Sequence, residues 1–280
     1  VASTIMANFA LENYLSGIET VKKLVDEFDK LSNQICTVGV GIPGFSSQKT
    51  GLVTNANSMW LNDKPFKKDL EIALNRKVKL MNDANCFTLS EAVDGAGKDY
   101  QSIFGIIIGT GFGGALSYKK EIIEGSNQIA GDWGHQPLPY PTKEEQETMI
   151  NCPSMNCGRP LCAEQFMSGI GFKDRFNKKY NTDFSSEEIV QLDLDKDPRA
   201  NLELSLYEDR MARLMAVMIG IFDPDAIILG GGMSNIDRFY LNIPNLIPKY
   251  TFSNKVKTKV LKNIHGDSSG VRGAAWLWDS

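Results

Sequence analysis

Two short apolar strands in this sequence run straight into glycine. Ser102–Ile108 (SIFGIII) breaks into GTGFGG at Gly109–Gly114, and Asp225–Leu229 runs into Gly230-Gly231-Gly232. Glycine at the end of a buried strand lets the backbone approach a ligand closely and aim several N–H groups at one anion. The fold must therefore bring two strand ends to usable positions. A mostly parallel sheet covered by helices does this, because its ligands gather outside the carboxyl ends of its strands.

The surrounding pattern agrees. From about Leu11 to Lys30, the residues Tyr14, Ile18, Val21, Leu24, Val25 and Phe28 recur at helical spacing. Thr37–Ile42 reads as a strand stopped by Pro43-Gly44, Phe66–Asn75 as a helix, Val78–Met81 as a buried strand and Ala84–Ala92 as a helix. Ala115–Tyr118 resumes an extended pattern across a hairpin, and the region from Asp132 to Pro160 shows little periodicity. Helices are expected near Glu164–Ser168, after Ser185-Ser186-Glu187-Glu188 and over Ala200–Phe222. A strand at Val256–Leu261, a loop at His265–Ser269 and a helix through Trp276 complete an α/β chain. A boundary near residues 95 to 101 divides it into 1–100 and 101–280, and the last helix could return to the first unit.

Charge narrows the partners. Thirty Lys and Arg against thirty-four Asp and Glu give a net charge of −4 without a long basic run, which argues against a nucleic-acid binder. No apolar stretch is long enough for a membrane span and no signal peptide is recognisable, so no membrane partner and a cytoplasmic location are expected. Of five Cys, Cys152, Cys157 and Cys162 are clustered; in a reducing compartment such a group reads as a metal site. It needs a fourth ligand, and His135 could supply it.

Several residues can do chemistry. Gly109–Gly114 could cradle a phosphate or simply turn a hairpin, and Gly230–Gly232 could open a helix toward a nucleotide or only connect strand to helix. Neither is a P-loop or a Rossmann fingerprint. Asp83, where a short strand meets a helix, is either an N-cap or a general base facing a cleft. Asp132, His135 and Glu164 are polar groups of the kind that a polyhydroxylated ligand needs.

These residues fall into the motifs GIPG (Gly41–Gly44), NANSMWLN (Asn55–Asn62), NDAN (Asn82–Asn85), IIGTGFGG (Ile107–Gly114), AGDWGHQPLP (Ala130–Pro139), CGRPLCAE (Cys157–Glu164), LGGGMSN (Leu229–Asn235) and HGDSSGVRGAAWLW (His265–Trp278). In that order they resemble the ROK sugar kinases (repressor, open reading frame, kinase), and most closely the bacterial fructokinase/mannokinase type. The resemblance implies an actin-like ATPase (ribonuclease H-like) fold, with two lobes around a cleft, that transfers the γ-phosphoryl group of Mg-ATP to a hexose, with fructose the expected substrate. Asp83 then stands at the catalytic base position and Asn57, Asn82, Asp132, His135 and Glu164 at sugar-contacting positions. Gly109, Thr110, Gly111, Gly113, Gly114, Gly230, Gly231 and Gly232 fall on nucleotide-contacting loops. His135 with Cys152, Cys157 and Cys162 matches a structural zinc site, and a homodimer is implied.

Three departures from the family pattern set further expectations. The family's N-terminal hairpin with Asp-x-Gly-Gly-Thr-Lys has no counterpart here, so the first lobe is expected to lack its N-terminal strands. Thr37–Ile42 should then be exposed or abnormally paired, and ATP turnover slow. A catalytically impaired sugar-binding relative is the alternative, and a sugar-responsive repressor a more distant one. Asp132 replaces the Glu of the family's Glu-x-Gly-His, retracting the carboxylate by about 1.5 Å. The family's Cys-x-Cys-Gly is Met155-Asn156-Cys157-Gly158 here, which leaves Cys152 as the candidate for the missing thiolate.

Overall fold

The structure is a computed structural model that describes residues 3–5, 13–150, 157–160, 162–253 and 255–278. In its first part, β1 (Ser3–Ile5) is followed by α1 (Tyr14–Ser32), β2 (Val38–Ile42), a small hairpin of β3 (Phe45–Ser46) and β4 (Val53–Thr54), α2 (Phe66–Leu74), β5 (Val78–Asn82) and α3 (Asp83–Val93). Helix α1 starts where the Asn13 side chain accepts the Ser16 N–H at 3.0 Å, stops at left-handed Asn33, and buries Val21 and Val25. β1, β2 and β5 form a parallel sheet in that order. The expectation of an exposed or abnormally paired Thr37–Ile42 is thereby corrected. β2 is central, paired in register on both sides, and Val38, Val40 and Ile42 are buried.

The second part contains β6 (Ser102–Ile108), β7 (Phe112–Tyr118), β8 (Glu121–Ile122), α4 (Lys143–Ile150), α5 (Ala163–Met167), α6 (Gly169–Tyr180), α7 (Ser186–Leu194), α8 (Pro198–Phe222), β9 (Ala226–Gly230), α9 (Arg238–Leu246), β10 (Lys259–Lys262) and α10 (Ser269–Trp276). Its sheet runs β10-β9-β6-β7-β8, parallel from β10 to β6 and antiparallel through the last two strands. One core joins Phe104, Ile106 and Ile108 on β6 to Tyr207, Met211 and Met215 on α8. Among the described residues no helix is long and apolar enough to cross a membrane.

Helix α10 returns to the first sheet. A Cβ on Gly39 of β2 would lie 1.9 Å from the Ala274 carbonyl oxygen, and one on Gly273 would lie 1.6 Å from that of Cys86 in α3, so only glycine permits either contact. The buried Glu91 carboxylate at the far end of α3 accepts from Ser269 Oγ at 2.8 Å and from the Ala96 N–H at 2.9 Å. Asp94 meets His265 Nε2 at 3.1 Å and also Arg272. Much of the HGDSSGVRG segment thus fastens α10 to α3. Between the two parts, the β3–β4 turn meets the loop before Asp132, where the Gln48 N–H donates to Gln128 Oε1 at 3.2 Å.

The sequence pattern misplaces one strand and misses three helices. The strand expected at Val256–Leu261 occupies Lys259–Lys262, in register with Ala226–Leu229. In α6 only Phe172 and Phe176 are buried, and the Lys, Asp and Arg around them hide the period. Helix α9 carries an internal Pro244, and α4 lies in a stretch that reads as aperiodic.

The start of α4 is anchored by charge. Glu145 accepts from Arg210 Nε at 2.6 Å and from Arg213 Nη2 at 2.8 Å, while Arg213 Nη1 also donates to the carbonyls of Pro139 and Tyr140. Burial opposes ionisation of Glu145, but the Arg213, Thr142 and Arg210 hydrogen bonds outweigh it and hold its pKa down at about 2. Arg213→Met leaves the buried carboxylate short of a partner and should cost about 3 kcal/mol in urea denaturation at pH 7. Because the folded pKa is depressed, Glu145 stabilises the fold fully above its ordinary pKa near 4.5, and that stabilisation is lost as pH falls toward 2. The gap between wild type and variant should shrink over this window.

Candidate active site

β5 delivers its chain to the cleft at Asn82-Asp83. The helix cap is Asn82, not Asp83: its Oδ1 accepts the Ala84 N–H at 2.9 Å and its Nδ2 donates to the Gly44 carbonyl at 3.1 Å. Asp83 occupies the first helical position, and its Oδ1 also accepts the Ala84 N–H, at 2.8 Å. Its side chain is open to solvent, yet protein walls surround it on most sides. That desolvation raises its pKa above the ordinary carboxylate value, against the lowering effect of the Ala84 N–H, its own N–H and Asn82. A carboxylate that is reachable and more basic than usual suits proton acceptance.

The hairpin strand β7 connects Asp83 to the second group of candidates. Gly113 faces Ala84 at the start of α3, while the loop carrying Asp132 and His135 lies across β7. Gly131 and Gly134 make that crossing possible: a Cβ on either would meet backbone of Ala115 or Phe112 at 2.6 or 1.9 Å. The Glu164 N–H donates to the Gly134 carbonyl at 2.8 Å, and its Oε2 lies 3.4 Å from the Phe112 nitrogen as acceptor. Asp132 is exposed; burial by its surroundings and the charge of Glu164 push its pKa up, partly offset by His135. His135 rises to about 9 through its hydrogen bond with Cys162, against burial and with help from Glu164 and Asp132.

His135 Nδ1 and Cys157 Sγ each lie 3.7 Å from Cys162 Sγ, and the three donor atoms fall within 4.8 Å of one another. Cys152, named with them from the sequence, lies outside the described residues. Asn57 is exposed on the loop after β4, which abuts Gly44 and through it Asn82.

The glycine runs divide by role. Gly109, Thr110 and Gly232 line a cavity of about 480 Å³, and Gly111 lies beside Glu164. Gly113 and Gly114 are in β7, paired with Ile107 and Ile106, so GTGFGG is a hairpin as well as a cavity edge. Gly230 ends β9 against the Phe87 ring, and Gly231, with φ of 80°, passes close to the Ile108 carbonyl. The chain leaves Gly231 in a single 3₁₀ turn, Gly232–Asn235. The cavity is completed by Gly169, Ile170, Ser186, Glu187, Val190, Met233, Asn235 and Ile236, none of which the sequence marks as a site residue. Helix-start residues Ser168 and Ser185 precede two of these segments, and Met233 and Asn235 fall within the LGGGMSN run. Gly231→Ala should destabilise the fold by about 1–3 kcal/mol in thermal denaturation, since it combines a left-handed φ with a backbone clash. Gly232→Ala, whose Cβ meets nothing within 4 Å, should be close to neutral.

Comparison with known proteins gives a consistent result. The model of the ROK family matches residues 8–280. The chain is 36% identical over 269 residues to an N-acetyl-D-glucosamine kinase of Vibrio cholerae, covering 95% of this chain and 88% of that protein. The ROK hexokinase of Thermus thermophilus superposes with a TM-score of 0.82 at 22% identity, over 96% of this chain and 89% of that one. A ROK family glucokinase from Streptomyces griseus, solved with glucose and AMPPNP, superposes with a TM-score of 0.77 at 21% identity, over 95% and 88% of the respective chains. The architecture is accordingly the two-lobed actin-like ATPase fold, and the chain belongs to the ROK family.

Proposed function

We propose that this ROK protein is an ATP-dependent sugar kinase whose acceptor is N-acetyl-D-glucosamine or a closely related N-acetylated hexosamine. The observation that carries the kinase reading is Asp83: a solvent-reachable carboxylate of raised pKa, set beside the Asn82 cap at the end of β5. The acceptor is drawn from the V. cholerae relative, and it displaces fructose as the leading substrate. Residues 1–100 would form the lobe carrying Asp83 and 101–280 the lobe carrying the nucleotide cavity, with a homodimer as the working assembly.

In this reading Asp83 takes the proton of a sugar hydroxyl as that oxygen bonds to the γ-phosphorus of ATP, and the bond from phosphorus to the ADP oxygen breaks. Asn57, Asn82, Asp132, His135 and Glu164 hold the sugar's other hydroxyls. Ile170, Val190, Met233 and Ile236 offer the adenosine an apolar seat, with Ser186 and Asn235 for its polar edges. Backbone N–H groups near Gly109–Gly111 and Gly230–Gly232 would face the phosphates, whose charge a Mg²⁺ bound with the nucleotide would partly neutralise.

The His135–Cys157–Cys162 group fits zinc. At a Zn–S distance of about 2.3 Å a tetrahedron has edges of roughly 3.8 Å, close to the 3.7 Å separations of the donors. Cys152 would be the fourth ligand. Zinc would fix the ring of His135 through Nδ1 and leave Nε2 for the sugar.

Asp83→Asn should lower kcat roughly 100-fold in a coupled ADP-release assay with little change in sugar affinity. In the wild type, kcat should fall as pH drops through the raised Asp83 pKa, which puts the acid limb above the ordinary aspartate value of 3.8. Near-normal turnover in the variant would remove Asp83 from the mechanism. The same assay run on N-acetyl-D-glucosamine, N-acetyl-D-mannosamine, glucose, mannose and fructose tests the acceptor. Metal analysis should find one zinc per chain, lost in Cys162→Ser with a weaker affinity for sugar; full zinc in Cys152→Ser would exclude Cys152 as a ligand.

A further inference from the structure

The loop between β4 and α2 is closed at its neck by four hydrogen bonds. Two are backbone bonds: the Val53 N–H donates to the Lys64 carbonyl at 3.0 Å, and the Asp63 N–H to the Val53 carbonyl at 2.8 Å. The other two come from one side chain. Asn62 Oδ1 accepts the Ala56 N–H at 2.9 Å while Asn62 Nδ2 donates to the Ala56 carbonyl at 2.9 Å, so the amide pairs with residue 56 as a neighbouring strand would. Ala56 and Leu61, at either end of the enclosed segment, are both buried. Asn57 is exposed and directly follows the clamped residue, in a stretch that opens with left-handed Asn55, φ 58°. On its other side the segment rests on Gly44, where a Cβ would lie 2.7 Å from the Ala56 nitrogen, and the Gly44 carbonyl accepts from Asn82.

We propose that Asn62 is a positioning residue: its two-point clamp on Ala56 sets where Asn57 stands in the sugar pocket and so governs which hexose is accepted. This rests on the sugar-kinase reading above. Beyond Ala56 the chain enters a 3₁₀ turn over Met59–Leu61, and the Asn62 amide, rather than a neighbouring strand, bonds both the Ala56 N–H and its carbonyl. Without that amide, residues 55–57 keep their burial at Ala56 but lose the orientation of the peptide that leads into Asn57. Sugar contacts would then weaken while the nucleotide cavity, built on the other sheet, stays intact.

The test is a double-mutant cycle on the full chain with Asn62→Ala and Asn57→Ala, measuring KM for N-acetyl-D-glucosamine, glucose and ATP, together with sugar binding by calorimetry and thermal unfolding. Asn62→Ala should raise sugar KM about tenfold, leave the KM for ATP within about twofold and narrow the preference between the two sugars. Adding Asn57→Ala should then cost little more, because both changes remove the same contact. Asn62→Asp keeps the acceptor, sets a carboxylate against the Ala56 carbonyl, and should weaken sugar binding in the same direction; it carries the test if Asn62→Ala does not fold. A folded Asn62 variant with unchanged sugar KM and preference, or full additivity with Asn57→Ala, overturns the proposal. Absence of phosphorylation of any hexose by the wild type would instead overturn the kinase reading, and calorimetry would still decide whether Asn62 controls sugar affinity.

Discussion

The backbone of α10 touches the backbone of two other elements with no side chain between them, at Gly273 against Cys86 of α3 and at Gly39 of β2 against Ala274. Contacts this close fix the distance between elements to within the thickness of a peptide, since adding a single methyl group has no room to be absorbed. Because α3 also packs on β6 and β7, α10 ties the small sheet to the large one through α3. The position of Asp83, at the first turn of α3, is therefore set by the packing of an element nearly two hundred residues away in sequence. The polar bonds at the other end of α3 serve the same joint. Glu91 is buried there, and hydrogen bonds from a serine hydroxyl and peptide N–H groups satisfy its carboxylate.

Charge is handled differently on the two sides of the molecule. At Glu145 a buried carboxylate is surrounded by guanidinium groups, which hold it ionised and make it an anchor. At Asp83 the surrounding protein withholds such partners, so desolvation dominates and the carboxylate becomes more willing to accept a proton. The same side-chain chemistry thus gives an ionised structural tie in one place and a more basic carboxylate in another, and the neighbours decide which.

Much of this was legible in the sequence because the features that mattered were local. Strands that end in glycine, the Asn82-Asp83 junction and the amphipathic α1 each carry their signal within a few residues. Of the two readings of GTGFGG, the hairpin is formed by β6 and β7, while Gly109 and Thr110 at its turn line a cavity. What was not legible depends on tertiary context. Ile170, Val190, Met233 and Ile236 come from separate elements and share no spacing, so only the fold assembles them into one wall. Helix α6 escaped because its apolar face is two residues wide. The capping role fell to Asn82 rather than Asp83, a difference of one position that depends on where β5 ends.

The bond from the Gln48 N–H to Gln128 crosses between the small-sheet hairpin and the loop that leads to Asp132, and it lies at the surface. A hydrogen bond in contact with water contributes only about 1 kcal/mol, which biases the joined arrangement over the parted one by roughly fivefold. One such bond at the surface therefore does little to join the two parts, and their spacing rests instead on the close backbone contacts of α10. A methyl group added at Gly39 or Gly273 would therefore reach further than the loss of the Gln48 bond, because it would shift α10 against both β2 and α3 and with them the turn that carries Asp83.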